Sequence, residues 1–385
     1  MNSFEIRRFI VSEFVIGTDS RMLCGQYLKN LAANRALIVT DEGVRRQVWF
    51  SDIIRRLESE GLKYEVYSHV SSNPRDYEVM ASAEMYRKTH CDAILAVGGG
   101  SPIDCAKAMG AVVSNQQSVL EFEGINKIAV PPPPLICIPS TAGTSADISQ
   151  FVIIRDMPRQ VKIAIISKVM VPDLSLIDPI PSMTMDGYLT ACTGMDALTH
   201  AIEAYVSDAS SIVTDNHALQ AIRLIVRYLE RACRDPQDLE ARYMMMAGSL
   251  EAGMAFSNAG LGMVHAMAHS LGGRYDLPHG ECNALLLESI IDFNYSAAQE
   301  RYNTIARTLI DAGLPETGPI GQTYLTHQIS QLKQRIGIVD RLKDKGITPD
   351  DLPGLAQFAY QDACLITNPV KATLHDIETV FIKAL

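Results

Sequence analysis

The residues best suited to do chemistry in this chain lie in two short, otherwise apolar stretches. In the segment 194–203, GMDALTHAIE, Asp196 and His200 are four positions apart, a spacing that puts both side chains on one face of a helix. The segment 262–272, GMVHAMAHSLG, repeats the device with His265 and His269. Another histidine, His279, follows in Pro278-His279-Gly280, in a turn beyond Gly272-Gly273 that can fold the chain back. Four of the nine histidines therefore fall among small and apolar neighbours. Burying several imidazoles and a carboxylate without partners costs roughly 1–3 kcal/mol per unsatisfied group, and a divalent cation removes that cost. Any one of these histidines alone is more often a satisfied core or capping residue; it is the grouping that points to a metal. Three imidazoles and one carboxylate suit Fe²⁺, Zn²⁺, Mn²⁺ or Co²⁺, and the lack of thiolates argues against a structural zinc.

Such a cluster needs a framework, and the first half of the chain reads as one. Short apolar runs at 36–41, 64–70, 93–97 and 135–138 alternate with helix-like stretches at 44–60 and 76–89, the pattern of parallel βαβ units. The third run leads into Gly98-Gly99-Gly100-Ser101-Pro102 and a helix-like segment, 103–111. Glycines let backbone N–H groups approach an anion, and a helix N-terminus favours it, so this is either a phosphate cradle or a tight turn capped by Ser101. Asp41 ends the first clear run. A carboxylate there can accept from both ribose hydroxyls of an adenosine and repel a 2′-phosphate, favouring NAD over NADP; the plainer reading is a cap on the next helix. The hydroxyls of Ser140, Thr141 and Thr144 in the 139–145 segment, PSTAGTS, can meet a cofactor or merely satisfy their own turn. Runs at 151–155 and 162–167 have hairpin spacing, which predicts an antiparallel pair appended to the parallel sheet.

Beyond Asp178-Pro-Ile-Pro181 the texture changes to long helical periodicities, as at 218–233 and 239–255. This predicts a boundary near residue 182, with an α/β dinucleotide-binding domain over 1–182 and an all-α domain over 183–385. A length of 385 residues, 47% of them hydrophobic and 20% charged, suits two cores. The net charge of −10 disfavours nucleic acid and anionic membrane surfaces as partners. Eight scattered cysteines without a C-x-x-C pair suit a reducing compartment. The stretch 252–273 lacks charged residues but contains five glycines and two histidines, so it predicts a buried helix pair rather than a membrane span. The expectation is a soluble, cytoplasmic protein.

The segments 98–107 (GGGSPIDCAK), 194–203 and 262–280, with Thr367-Asn368-Pro369, resemble the iron-containing alcohol dehydrogenases over essentially the whole chain. The resemblance implies a dehydroquinate synthase-like architecture, with the active site between a mostly parallel α/β domain and a helical domain. It assigns the metal, Fe²⁺ or another divalent ion such as Zn²⁺, to Asp196, His200, His265 and His279. It places His269 beside nicotinamide and substrate as the candidate catalytic residue. Asp41 matches the ribose contact, and Gly98, Gly99 and Ser101 match the pyrophosphate loop, with Asp104 nearby. Ser140, Thr141, Thr144 and Lys162 match residues lining the cofactor. The implied activity is NAD-dependent interconversion of a small primary alcohol or diol and its aldehyde, in a homodimer or larger homo-oligomer. One departure stands out: the family's Gly-Thr-Gly-Ser-Glu is here Gly143-Thr144-Ser145-Ala146-Asp147. A less permissive backbone at Ser145 predicts a shifted or narrowed nicotinamide pocket. Two rival readings are a related enzyme such as a glycerol dehydrogenase or sugar-phosphate cyclase, separable by an alcohol screen, and a catalytically weak sensor, separable by turnover.

Overall fold

The computed structural model describes residues 7–385. Among the described residues nine strands form in chain order: β1 (Glu13–Ile16), β2 (Arg35–Val39), β3 (Lys63–Tyr67), β4 (Ala93–Gly98), β5 (Gly124–Ile125), β6 (Leu135–Pro139), β7 (Phe151–Asp156), β8 (Val161–Ile166) and β9 (Leu174–Ile177). Six of them make one sheet in the order β1-β9-β6-β4-β2-β3, and all its pairings are parallel. β4 is buried along its whole length, as expected of a parallel strand covered on both faces. Trp49, Phe50, Ile53 and Leu57 cover one face, while Val79, Ala83, Ile103 and Met109 cover the other. The chain leaves β2 for the edge strand β3 and returns to β4 on the other side of β2. That reversal opens a crevice at the carboxyl ends of β2 and β4, where Asp41 and Gly98-Gly99 lie.

The hairpin forms, with β7 and β8 antiparallel and Asp156 opposite Val161. It is not appended to the parallel sheet as its spacing predicts. It joins β5 in a separate three-stranded sheet, because polar ties fasten it to the helix Gly100–Asn115. From that helix, the Lys107 ammonium donates to the carbonyls of Ala146, Ser149 and Phe151 at 2.9, 2.8 and 2.7 Å. Asp104 on the same helix accepts from Ile153 N at 3.1 Å.

β9 is the last strand among the described residues, and Asp186 then caps the long helix Gly187–Val206 by accepting from Leu189 N at 2.7 Å. The stretch 252–273 belongs to two helices, Leu239–Ala259 and Met263–Tyr275. They are joined at Gly260, whose φ of 75° is one a side chain resists. No helix among the described residues is long and apolar enough to cross a membrane. His279, expected in a turn, instead opens the helix His279–Asn294 directly after Pro278.

Candidate active site

Three helices bring the cluster together, and glycines set how closely they approach. A Cβ at Gly280 would lie 2.1 Å from the Cys192 carbonyl oxygen, so the first turn of the His279–Asn294 helix can press against the Gly187–Val206 helix only without a side chain there. That contact sets His279 beside Asp196. Likewise a Cβ at Gly262 would lie 2.8 Å from Glu203 Oε1. With that space open, Glu203 reaches the N-terminus of the Met263–Tyr275 helix, accepting from Val264 N at 2.6 Å and pairing with His265 Nδ1 at 2.6 Å. A carboxylate is well placed at a helix N-terminus, and here it also fixes the ring of His265.

The outcome is one carboxylate oxygen facing three imidazoles. Asp196 Oδ1 lies 3.9 Å from His200 Nε2, 3.6 Å from His265 Nε2 and 3.7 Å from His279 Nε2. The ligating atoms of Asp196, His265 and His279 all fall within 4.8 Å of one another. His200 joins through Asp196, its ring stacked between Phe256 and His265 at centroid distances of 4.2 and 4.4 Å. Tetrahedral bonds of roughly 2.1 Å to one cation would place the ligands about 3.4 Å apart. The Asp196-to-imidazole spacings are within a few tenths of an ångström of that value, and His200, outside the 4.8 Å group, would have to move inward to complete a four-ligand site. Donor counting agrees. Asn283 Nδ2 lies 2.6 Å from Asp196 Oδ1, 3.1 Å from His265 Nε2 and 3.4 Å from His279 Nε2. Once His265 gives up its proton, one amide nitrogen with two hydrogens faces three acceptors, and the surplus lone pairs are what a cation takes.

The electrostatics bear on the same atoms. Burial opposes the Asp196 carboxylate, but His200, His279 and His265 outweigh it and hold its pKa well below the usual range. Burial also keeps His200 neutral, with a pKa lowered to about 3, and sends His279 well below its ordinary value. His265 differs: burial disfavours its cation, yet Glu203 and Asp196 push its pKa up to about 9.

His269 does not join the quartet. Its Nδ1 pairs with Asp362 Oδ2 at 2.8 Å, and its ring stacks on His279 with centroids 5.2 Å apart. Asp362 is held in turn by Cys364 N, which donates to Oδ1 at 2.8 Å.

Two connected spaces meet at the cluster. An outer cleft of about 730 Å³ runs from Asp41 past Gly99, Ser101, Ser140, Thr141 and Thr144 to Asp196 and His279. An inner chamber of about 140 Å³ is lined by His200, His265, His269 and His279 on one side and by Asp104 and Lys162 on the other. Asp104 leaves Oδ1 without a partner, and its withdrawal from solvent pushes its pKa up to about 6. Desolvation lowers the pKa of Lys162. Asp41 does cap a helix, accepting from Val44 N at 2.8 Å, and it lines the cleft as well. Gly98 departs from its expected place. It does not line the cleft; its φ is 147° and a Cβ would meet Pro102 Cγ at 2.7 Å. It shapes the turn that presents Gly99 and Ser101.

Ser145 also departs from expectation. It keeps the left-handed conformation, with φ 49°, and turns its hydroxyl away from both chambers. The hydroxyl donates to Ser249 O at 2.6 Å and lies 3.0 Å from Ser249 Oγ. Ser145 lines neither space, so its side chain occupies neither, while its neighbours Thr144 and Ala146 line the inner chamber. Asp147 is buried and accepts from Ser175 Oγ at 2.5 Å. Sequence reasoning missed Glu203, Asn283 and Asp362. The first two were within reach of helical spacing: Glu203 is three residues past His200, and Asn283 is four past His279. Asp362 has no such signal.

The fold and site define a two-part scaffold in which the crevice of a parallel sheet opens onto a buried carboxylate–imidazole cluster held by helices. This chain belongs to the iron-containing alcohol dehydrogenase family. Residues 12–179 match its iron-containing alcohol dehydrogenase domain, and residues 190–385 match the C-terminal domain of the Fe-containing alcohol dehydrogenase family. It is 38% identical over 370 residues to 1,3-propanediol dehydrogenase of Citrobacter freundii, covering 96% of each chain. It is 34% identical over 379 residues to NAD-dependent methanol dehydrogenase of Bacillus methanolicus, covering 98% of this chain and 99% of the other. Among solved structures, a 1,3-propanediol oxidoreductase superposes with a TM-score of 0.94 at 36% identity, covering 99% of this chain and all of the other. An alcohol dehydrogenase from Oenococcus oeni gives 0.94 at 34% identity with the same coverage.

Proposed function

We propose that this protein is an NAD-dependent, divalent-metal-dependent alcohol dehydrogenase that interconverts a small primary alcohol or diol and its aldehyde. The observation that carries the reading is the approach of three imidazole Nε2 atoms to 3.6–3.9 Å from one Asp196 oxygen, where the outer cleft meets the inner chamber. When bound, a cation held by Asp196, His200, His265 and His279 supplies Lewis acidity toward an alcohol or carbonyl oxygen, and a nicotinamide supplies the hydride carrier.

This chain's own residues position, dry and deprotonate. Asp41 offers its carboxylate to the adenosine ribose, while Gly99, Ser101 and the N-terminus of the Gly100–Asn115 helix receive the pyrophosphate. Ser140, Thr141 and Thr144 line the path inward, and Asp104 and Lys162 offer an acceptor and a donor at its end. Phe151, Phe256 and Leu261 wall the inner chamber and exclude water from the reacting atoms. Its volume of about 140 Å³ suits a short alcohol. Asp362 occupies His269 Nδ1, which leaves Nε2 to take the alcohol's proton. The Ser145 side chain enters neither chamber, so it gives the sensor reading no support.

The experiment is turnover of a panel of short alcohols, diols and glycerol with NAD and NADP. It is run on metal-loaded protein, after chelation, and after readdition of Fe²⁺ or Zn²⁺. Loss on chelation with recovery on readdition is expected; full activity in metal-free protein refutes the metal role, and preference for glycerol favours the related-enzyme reading.

A further inference from the structure

Next to Asp41, three side chains from two elements close on one another at the rim of the outer cleft. Glu42 lines the cleft, and its Oε1 accepts from Ser68 Oγ at 2.5 Å. Arg45 Nη1 donates to the same Ser68 oxygen at 2.9 Å and lies 3.5 Å from Glu42 Oε1. Arg46 Nη2 stands 3.9 Å from Glu42 Oε2. Ser68 follows β3, and the next residue, His69, bridges the backbone of Asp41. The triangle is thereby tied to the residue that would meet the ribose. An exposed pair three residues apart on a helix is ordinary and contributes little to stability. This one differs in that Glu42 lines the cleft and its third member, Ser68, is the residue after β3.

We infer that Glu42 is a second determinant of cofactor choice, because it occupies Arg45 and so denies that guanidinium to the 2′-phosphate of NADP. The inference rests on reading the outer cleft as the dinucleotide site. The charged groups facing this point are Asp41, Glu42, Arg45 and Arg46, with His69 beside them. Two carboxylates balance two guanidiniums, so an incoming phosphate dianion finds no surplus positive charge. Asp41 adds direct repulsion. Ser68 contributes by bonding Glu42 and lowering its pKa, which keeps the carboxylate charged. With Glu42 neutralised to glutamine, Arg45 retains only uncharged partners, the Ser68 hydroxyl and the amide oxygen. Its planar fork is then free to take a phosphate by paired, charge-assisted hydrogen bonds.

The test uses the full-length protein and two probes, adenosine 5′-monophosphate and adenosine 2′,5′-bisphosphate, whose binding is measured by calorimetry. Glu42→Gln should raise affinity for the bisphosphate relative to the monophosphate by about tenfold, the scale of one added charge-assisted contact. The NADP-to-NAD ratio of kcat/KM should rise in step. The gain should shrink as salt is raised and vanish in the Glu42→Gln, Arg45→Met double variant. An unchanged probe ratio in Glu42→Gln, while the wild type binds the monophosphate, overturns the role of Glu42 alone. A gain that survives Arg45→Met overturns the assignment of Arg45. A wild type that binds neither probe and does not use NAD overturns the dinucleotide reading and this inference with it.

Discussion

Loading the Asp196 quartet with a divalent cation should stabilise the helical part of the molecule by several degrees. All four ligands lie between Asp196 and His279 on three helices, Gly187–Val206, Met263–Tyr275 and His279–Asn294. The ion would therefore clip these three together and touch no strand. Around Asp196 the site is near its loaded geometry, because spacings of 3.6–3.9 Å contract to about 3.4 Å, while His200 must move in toward His265 and His279. The contacts given up are those of Asn283 Nδ2 to Asp196 Oδ1, His265 Nε2 and His279 Nε2, the shortest at 2.6 Å. Free metal at a hundred times its dissociation constant, with this loss already counted in that constant, adds about 2.7 kcal/mol. For a cooperative unit of the helical part's size, each kcal/mol moves Tm by roughly 2–4 °C, so the shift should be about 5–11 °C.

The assay is thermal unfolding followed by circular dichroism, with chelator and then with Fe²⁺, Zn²⁺, Mn²⁺ or Co²⁺ added in turn, the iron anaerobically. Asp196→Ala, which removes the atom common to all three approaches, should leave Tm unresponsive to every metal. If the wild type shows the same Tm with chelator and with saturating metal, the quartet is not a metal site. If Asp196→Ala keeps the full shift, the ion binds elsewhere. Either result would also remove the basis for the proposed chemistry.

Three further outcomes follow from the same geometry. Without metal, the His265 pKa stands near 9 while His200 and His279 are already neutral, so binding near pH 7.5 should release one proton. A raised folded-state pKa stabilises the metal-free protein fully below about 6.5, and that contribution is lost as pH rises through about 9. Metal affinity should accordingly climb about tenfold per pH unit as pH rises toward about 9 and then level; calorimetry in buffers of different ionisation enthalpy measures the count, and zero protons released refutes it. Asp362→Asn keeps a hydrogen-bond acceptor for His269 but removes the charge, and should lower kcat by on the order of 10²-fold with a larger solvent isotope effect; an unchanged kcat would remove His269 from proton transfer. Ser145→Gly should be near neutral, since relief of a left-handed backbone worth roughly 1–2 kcal/mol offsets lost hydrogen bonds of about 1 kcal/mol, whereas Ser145→Ala keeps the strain and should cost about 1 kcal/mol in chemical denaturation. Equal stability of the two variants refutes the backbone argument.

Much of the fold was legible where its determinants are local. The apolar runs that become β2, β3, β4 and β6 announce themselves by β-branched content and by turn residues at their ends. β1 and β9 do not: each is four residues long, and they pair with each other across most of the sheet domain, Phe14 opposite Ser175. The hairpin at 151–166 was readable as a hairpin, but its destination was not. That depends on the Lys107 ammonium and the Asp104 carboxylate reaching it from a helix some forty residues earlier, a tertiary choice with no periodicity. Gly98 shows the same limit from another side. Glycine serves both for close approach to a ligand and for positive φ, and three in a row do not reveal which does which.

The histidine cluster marks where residue spacing stops being informative. His265 and His269 are one helical turn apart on the same face, so spacing treats them alike. Their Nδ1 partners separate them: Glu203 aims His265 at Asp196, and Asp362 draws His269 aside. The convergence of the quartet depends in addition on residues that have no chemistry. An alanine at Gly280 would put a methyl 2.1 Å from the Cys192 carbonyl, and one at Gly262 would put it 2.8 Å from Glu203 Oε1. Backbone cannot yield as a flexible side chain does, so a methyl at Gly280 would have to push the two helices apart. Because the Asp196-to-imidazole spacings already exceed the tetrahedral value, a shift that widens them moves the site further from one a cation can close. The identity of the ligands is written in the imidazoles and the carboxylate, but the distance between them is set by the absence of a Cβ.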